Sequence, residues 1–176
     1  DNWNNSKILA YWKYDDATKP GKDSHSWLGR LNNIRTALQG QQGDRRLRLG
    51  IAGGEWKKMM ADATARTRFA SEVKKIIEQY DFDGVDFDFE WPANASEYNN
   101  YSATVIQMRS TLGKYVYFTA SLHPVSFKIS PEAIDALDFI SYQCYGPAVM
   151  RFPYEQFVKD GEMAITYGIP KNKLVM

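Results

Sequence analysis

The chain has 176 residues, 44% hydrophobic and 24% charged, enough for one domain with a substantial core. Its 22 Lys and Arg against 21 Asp and Glu leave a net charge of +1, which gives no electrostatic case for nucleic acid or an anionic membrane as partner. No apolar run is long enough to span a bilayer, and Cys144, the only cysteine, excludes an internal disulfide and a cysteine-based zinc site.

Apolar strands and amphipathic helices alternate along the chain. Lys7 to Trp12 (KILAYW) reads as a strand, followed by a polar stretch reaching Lys22. Leu28, Leu31, Ile34 and Leu38 predict a helix over Trp27 to Leu38, and Leu47 to Ala52 reads as a strand closed by Gly53 and Gly54. Phe69, Val73, Ile76, Ile77 and Tyr80 fall at helical spacing and predict a helix over Thr64 to Tyr80. An acidic strand follows, and then Tyr98, Tyr101, Val105, Met108 and Leu112 mark a helix ended by Gly113. Tyr115 to Ser121 reads as a strand. Ser130 and Pro131 offer a hydroxyl cap and a first-turn proline to a short helix running through Ala136. Leu137 to Tyr145 reads as a strand, Tyr154 to Met163 as a helix, and Lys173 to Met176 as the start of a last strand.

Strands alternating with helices predict a parallel sheet covered by helices, either an open doubly wound sheet or a (β/α)8 TIM barrel. Neither a GxGxxG turn nor a phosphate-binding GxxxxGK[ST] loop is present. The acidic strand carries the chemistry. Asp86, Asp88 and Glu90 occupy every second position of DGVDFDFEWP, so they share one strand face, spaced roughly 6.6 Å apart along the backbone. Val85, Phe87 and Phe89 share the opposite, core face. Crowding three like charges raises the free energy of the fold and drives their proton affinities apart. The same alternation also describes an edge strand with one wet face. Gly84 at the strand's start points to a bend or a close backbone approach, and Trp91-Pro92 ends the ladder. Trp12, Trp56 and Tyr145 lie at or just past the ends of three other strands, the end at which barrels build their sites. Flat rings around a carboxylate suit a sugar, whose apolar faces stack while its hydroxyls meet the acid.

Asp83 to Glu90 meets in full the DGxDxDxE signature of the family 18 glycoside hydrolases, the chitinase family, and the chain resembles that family at Trp91-Pro92 as well. KILAYW resembles the first barrel strand, Gly50 to Gly54 a degenerate SxGG strand with Ile51 in place of serine, Asp138 to Tyr145 the sixth strand, and Gly168 to Val175 the approach to the seventh. The resemblance implies a single catalytic barrel domain over residues 1–176. That barrel is incomplete, because neither the second nor the eighth strand is identifiable and about 250 residues are usual. It implies Glu90 as general acid, Asp88 as the group orienting the substrate's acetamido arm, Asp86 sharing a proton with Asp88, and Tyr145 donating to the acetamido carbonyl. Trp12, Trp56, Trp91 and Gln143 are the implied sugar contacts. Gly146 stands where many members carry an acid or amide.

The implied activity is hydrolysis of β-1,4 links between N-acetylglucosamine units of chitin or chito-oligosaccharides, with retention and with no metal or organic cofactor. Two other readings share the residues: an endo-β-N-acetylglucosaminidase acting on N-glycans, and a chitin-binding lectin without catalysis. A carboxylate metal site lacks histidine support, since His25 and His123 lie far from the motif in sequence and read as parts of a loop and a strand end. The expected protein is secreted, monomeric and not membrane-bound. Its start at Asp1 reads as a processed or trimmed form, and Asn4, Asn94 and Asn100 begin short glycosylation patterns.

Overall fold

A computed structural model describes residues 27–39, 45–53, 55–145 and 153–176. The strand expected over Lys7 to Trp12, and Trp12 itself, lie outside these residues, as does Gly146. The described elements run α1 (Trp27–Gln39), β1 (Arg48–Ala52), α2 (Trp56–Ala61), α3 (Ala63–Tyr80), β2 (Gly84–Asp88), α4 (Ala95–Leu112), β3 (Tyr117–Leu122), α5 (Pro131–Ala136), β4 (Phe139–Tyr142), α6 (Tyr154–Tyr167), a 3-10 turn (Lys171–Lys173) and β5 (Leu174–Val175). The strands form one sheet in the order β1-β2-β3-β4-β5, every pair parallel. Sequential order without a crossover back is how barrel strands follow one another, whereas a doubly wound sheet reverses at a switch point. The acidic strand β2 lies between β1 and β3, so it is no edge strand.

Local chemistry accounts for the element ends. Asp62 accepts from the Ala65 amide at 2.7 Å to start α3, Asn94 from the Glu97 amide at 3.0 Å to start α4, and Ser130 from the Ala133 amide at 3.2 Å to start α5. Gly113, at φ +80, closes α4 in a conformation that favours glycine. Three expectations shift. A short helix, α2, fills the connection after β1, because Trp56, Met59 and Met60 bury one side of it. Helix α6 runs a turn past Met163, and β4 pairs only to Tyr142, leaving Tyr145 beyond it.

The core lies between the sheet and its helices. Phe69 of α3, Phe87 and Phe89 of the acidic segment, Tyr101 of α4 and Phe118 of β3 are fully buried, their rings meeting at 4.8–6.4 Å. Each such side chain contributes about 1.5–3 kcal/mol by burial. At the N-terminal ends of β3 and β4, Arg109 of α4 donates to the Ala136, Gly113 and Val116 carbonyls and to Asp138 Oδ2, at 2.7–3.0 Å. Asp138 in turn accepts from the Phe118 amide at 2.7 Å, so one guanidinium joins α4, α5, β3 and β4.

Candidate active site

The strand register decides what the acids meet. Asp86 pairs with Gly50 on one side and Thr119 on the other, and Asp88 pairs with Ala52. Side chains at Arg48, Gly50 and Ala52, at Asp86 and Asp88, and at Thr119 and Ser121 therefore share one face, while Val85, Phe87 and Phe89 are buried on the other. Asp86 is the first acid of the row and, like Asp88, half-buried. Its Oδ1 accepts from Arg48 Nη1 at 3.3 Å and from Thr119 Oγ1, and its Oδ2 accepts from Ser121 Oγ at 3.0 Å. Asp88, the last residue of β2, accepts from Gln143 Nε2 at 2.8 Å. Burial first, and then the charge of Asp86, push the Asp88 carboxyl above its ordinary value, with the Gln143 hydrogen bond opposing. Glu90 sits two residues past the strand, exposed at its C-terminal end. The peptide joining it to Trp91 is cis.

The segment after the acids is held from two sides. Trp91 donates its indole N–H to Gln143 Oε1 at 3.2 Å, and its ring lies 4.5 Å from that of His123 at the end of β3. Gln143 is buried, and its amide thus bridges Asp88 and Trp91. Lys57 of α2 pairs with Glu97 of α4 at 2.8 Å, and Glu97 also accepts from the Ala93 amide, which fixes the turn out of Trp91-Pro92. Tyr145, three residues past β4, is 59% exposed. Partial desolvation, then the charges of Asp88 and Glu90, hold its phenol above the usual range, so it lies within the field of both acids.

Of the residues expected to form the site, Asp88, Gln143 and Trp91 are joined by hydrogen bonds, Asp86 is bonded separately to Arg48, Thr119 and Ser121, and Glu90 and Tyr145 lie exposed past the ends of their strands. Trp56 is a correction. It is 1% exposed, packed against Phe89 and Tyr101 at 6.0 Å each, and cannot offer a ring face to a sugar. Instead its indole N–H donates to the Glu90 carbonyl at 3.3 Å and supports the acid from behind. It starts a helix rather than ending a strand, and the helix turns it inward. Arg48, Thr119, Ser121 and His123 join the site without having been singled out by sequence; the small polar pair on β3 alternates with Phe118, Ala120 and Leu122 and carries a readable signal. Among the described residues no three His, Cys, Asp or Glu side chains come together as a metal site, and no helix is long and apolar enough to cross a membrane.

The family model for glycosyl hydrolases family 18 matches residues 5–176. The chain belongs to that family. Among family 18 relatives, a class V chitinase of Arabidopsis thaliana is 25% identical over 124 residues, 58% of this chain and 33% of that protein. Chitinase B of Serratia marcescens is 33% identical over 66 residues, 38% of this chain and 13% of that one. A chitinase structure from Bacteroides thetaiotaomicron superposes with a TM-score of 0.73 at 18% identity, covering 87% of this chain and 52% of that one. The class V chitinase of Nicotiana tobaccum, in complex with NAG4, gives 0.68 at 21% identity, covering 84% and 52%. This chain thus spans about half the length of the solved family 18 chains and a third or less of these curated relatives. The shared fold is the (β/α)8 barrel, of which the five described strands form a consecutive arc.

Proposed function

We propose that the protein hydrolyses β-1,4-linked N-acetylglucosamine polymers, chitin or chito-oligosaccharides, by a retaining, substrate-assisted route. The observation that carries this reading is the row itself: Asp86 locked below, Asp88 tethered and pushed up beside it, and Glu90 exposed at the rim. Glu90, protonated, gives its proton to the glycosidic oxygen as the bond breaks. The substrate's own acetamido oxygen attacks the anomeric carbon and forms a cyclic oxazolinium, so no enzyme nucleophile is required. Asp88 accepts from the acetamido N–H and balances the developing positive charge, and the Tyr145 hydroxyl donates to the acetamido carbonyl. Water then opens the ring with Glu90 acting as base, restoring the original configuration. No step calls on a metal or organic cofactor. A polymer that lies outside cells fits a secreted protein, acting as a monomer.

Glu90→Gln tests the assignment. Hydrolysis of a chito-oligosaccharide should fall by roughly a hundredfold or more, with binding measured by calorimetry kept. Retention of more than about a tenth of the rate sinks the acid role. Equal cleavage of a de-acetylated substrate by the unmodified protein rules out the substrate-assisted route.

A further inference from the structure

Asp86 is the most heavily bonded acid of the row, and Arg48 has no part in the catalytic roles of Glu90, Asp88 and Tyr145. Arg48 opens β1 on the same sheet face as Asp86, with side chains 29% and 19% exposed. Between them along that face stands Gly50, directly opposite Asp86 in register. A Cβ at Gly50 would meet nothing within 4 Å among the described residues, so the path from Arg48 to Asp86 is open. The Arg48 guanidinium lies 4.8 Å over the Phe139 ring, and its Nη1 reaches both Asp86 Oδ1 and Thr119 Oγ1. With Ser121 on Oδ2, every oxygen of Asp86 is held, one of them by a fixed cation.

We infer that Arg48 is a positioning residue that keeps Asp86 as the fixed anion of the acidic row and leaves the row's exchangeable proton on Asp88. The two carboxyls are then not equal partners in a shared proton. An ionised neighbour disfavours a second charge on Asp88, in line with the upward push on that group. Asp88, tethered through one oxygen to Gln143, carries that proton in the free protein and releases it to solvent before accepting from the acetamido N–H. Among the described residues the other titratable groups facing the pair are Glu90 just past β2, Tyr101 of α4 behind the sheet and Tyr145 past β4; β3 offers the Thr119 and Ser121 hydroxyls, with Tyr117 at its start and His123 stacked on Trp91. Among the described residues Arg48 is the cation bonded to Asp86. The catalytic use of this arrangement rests on the hydrolase reading; the proton's location does not.

Carbon-13 NMR titration of the Asp86 and Asp88 carboxyls in the unmodified protein, Arg48→Met and Arg48→Lys tests it, with thermal unfolding to establish that each variant is folded. In the unmodified protein the upper protonation step of the pair should appear on the Asp88 carbon alone. Arg48→Met should divide that step between both carbons, and Arg48→Lys should return it to Asp88. An upper step already divided in the unmodified protein, or one unchanged in Arg48→Met, overturns the inference. If Arg48→Met does not fold, titration of the unmodified protein still decides where the proton sits. On a chito-oligosaccharide, the acid limb of kcat/KM should move to higher pH in Arg48→Met and return in Arg48→Lys, since losing a cation favours proton uptake. Absence of turnover by the unmodified protein would defeat the hydrolase reading and leave the titration result standing. A limb that stays in place while the carboxyl pattern changes would remove Arg48 from the catalytic scheme.

Discussion

Gln143 Nε2 donates to Asp88 Oδ1 at 2.8 Å across 55 positions of sequence, and the oxygen of the same amide receives the Trp91 indole N–H at 3.2 Å. One buried side chain therefore sets both the carboxylate and the ring that follows the acids. Gln143→Leu should strand the Trp91 donor and free Asp88, costing about 1–3 kcal/mol of stability and lowering kcat more than it raises KM. Gln143→Glu keeps an acceptor for Trp91 but sets a like charge beside Asp88. It should push Asp88 further up and shift the acid limb of the rate profile to higher pH. Paired kinetics and urea unfolding check both variants, and a Gln143→Leu protein with native kcat would show the tether to be idle.

Asp88 should also leave a mark on stability. Its folded carboxyl binds a proton more tightly than the ordinary value of 3.8, through burial and then through Asp86. Proton uptake thus favours the folded state, so stability is highest below that ordinary value and falls as pH rises through the folded one. Asp88→Asn removes the penalty while keeping an acceptor for Gln143. It should be more stable than the parent at about pH 7, with the gain gone by about pH 3. Urea titrations at both pH values measure it; an equal gain at each would place the cause elsewhere.

Gly84 opens β2 where it runs hard against β3. A Cβ there would lie 1.9 Å from the Tyr117 carbonyl oxygen and 2.7 Å from its carbon, both backbone atoms that cannot step aside. Gly84→Ala should cost more than about 3 kcal/mol, by forcing apart the two strands that carry Asp86 and Thr119. Thermal unfolding reads this directly, and a native melting temperature would contradict the close approach.

Trp56→Phe separates support from stacking. The indole N–H bonds the Glu90 carbonyl at 3.3 Å while the ring is buried. The change should cost about 1–2 kcal/mol and lower kcat with KM nearly steady. A large rise in KM without loss of stability would restore Trp56 to the sugar-contacting surface.

The acids and their core-facing neighbours are legible in the sequence because a strand alternates with period two, and nothing in the fold overrides that alternation when both faces are fully specified. Gly84 is legible as a point of close approach, Gly113 as a helix end and Ser130-Pro131 as a helix start, since each acts through its own backbone. Trp56 misleads because a tryptophan after a strand and a glycine pair serves a cleft wall or an inward helical turn equally well. Its surroundings, Phe89 and Tyr101, come from elements distant in sequence. Arg48 is silent in the sequence for a related reason. Its partner is chosen by the pairing of Gly50 with Asp86, 36 positions on, which no local window contains.

Arg109 grips four elements at the base of the arc, where β3 and β4 begin, and the acids, Gln143 and Trp91 gather where strands end. The two ends of the sheet are in consequence separable units of change. Residues at the rim can be exchanged one at a time while the guanidinium below keeps α4, α5, β3 and β4 together.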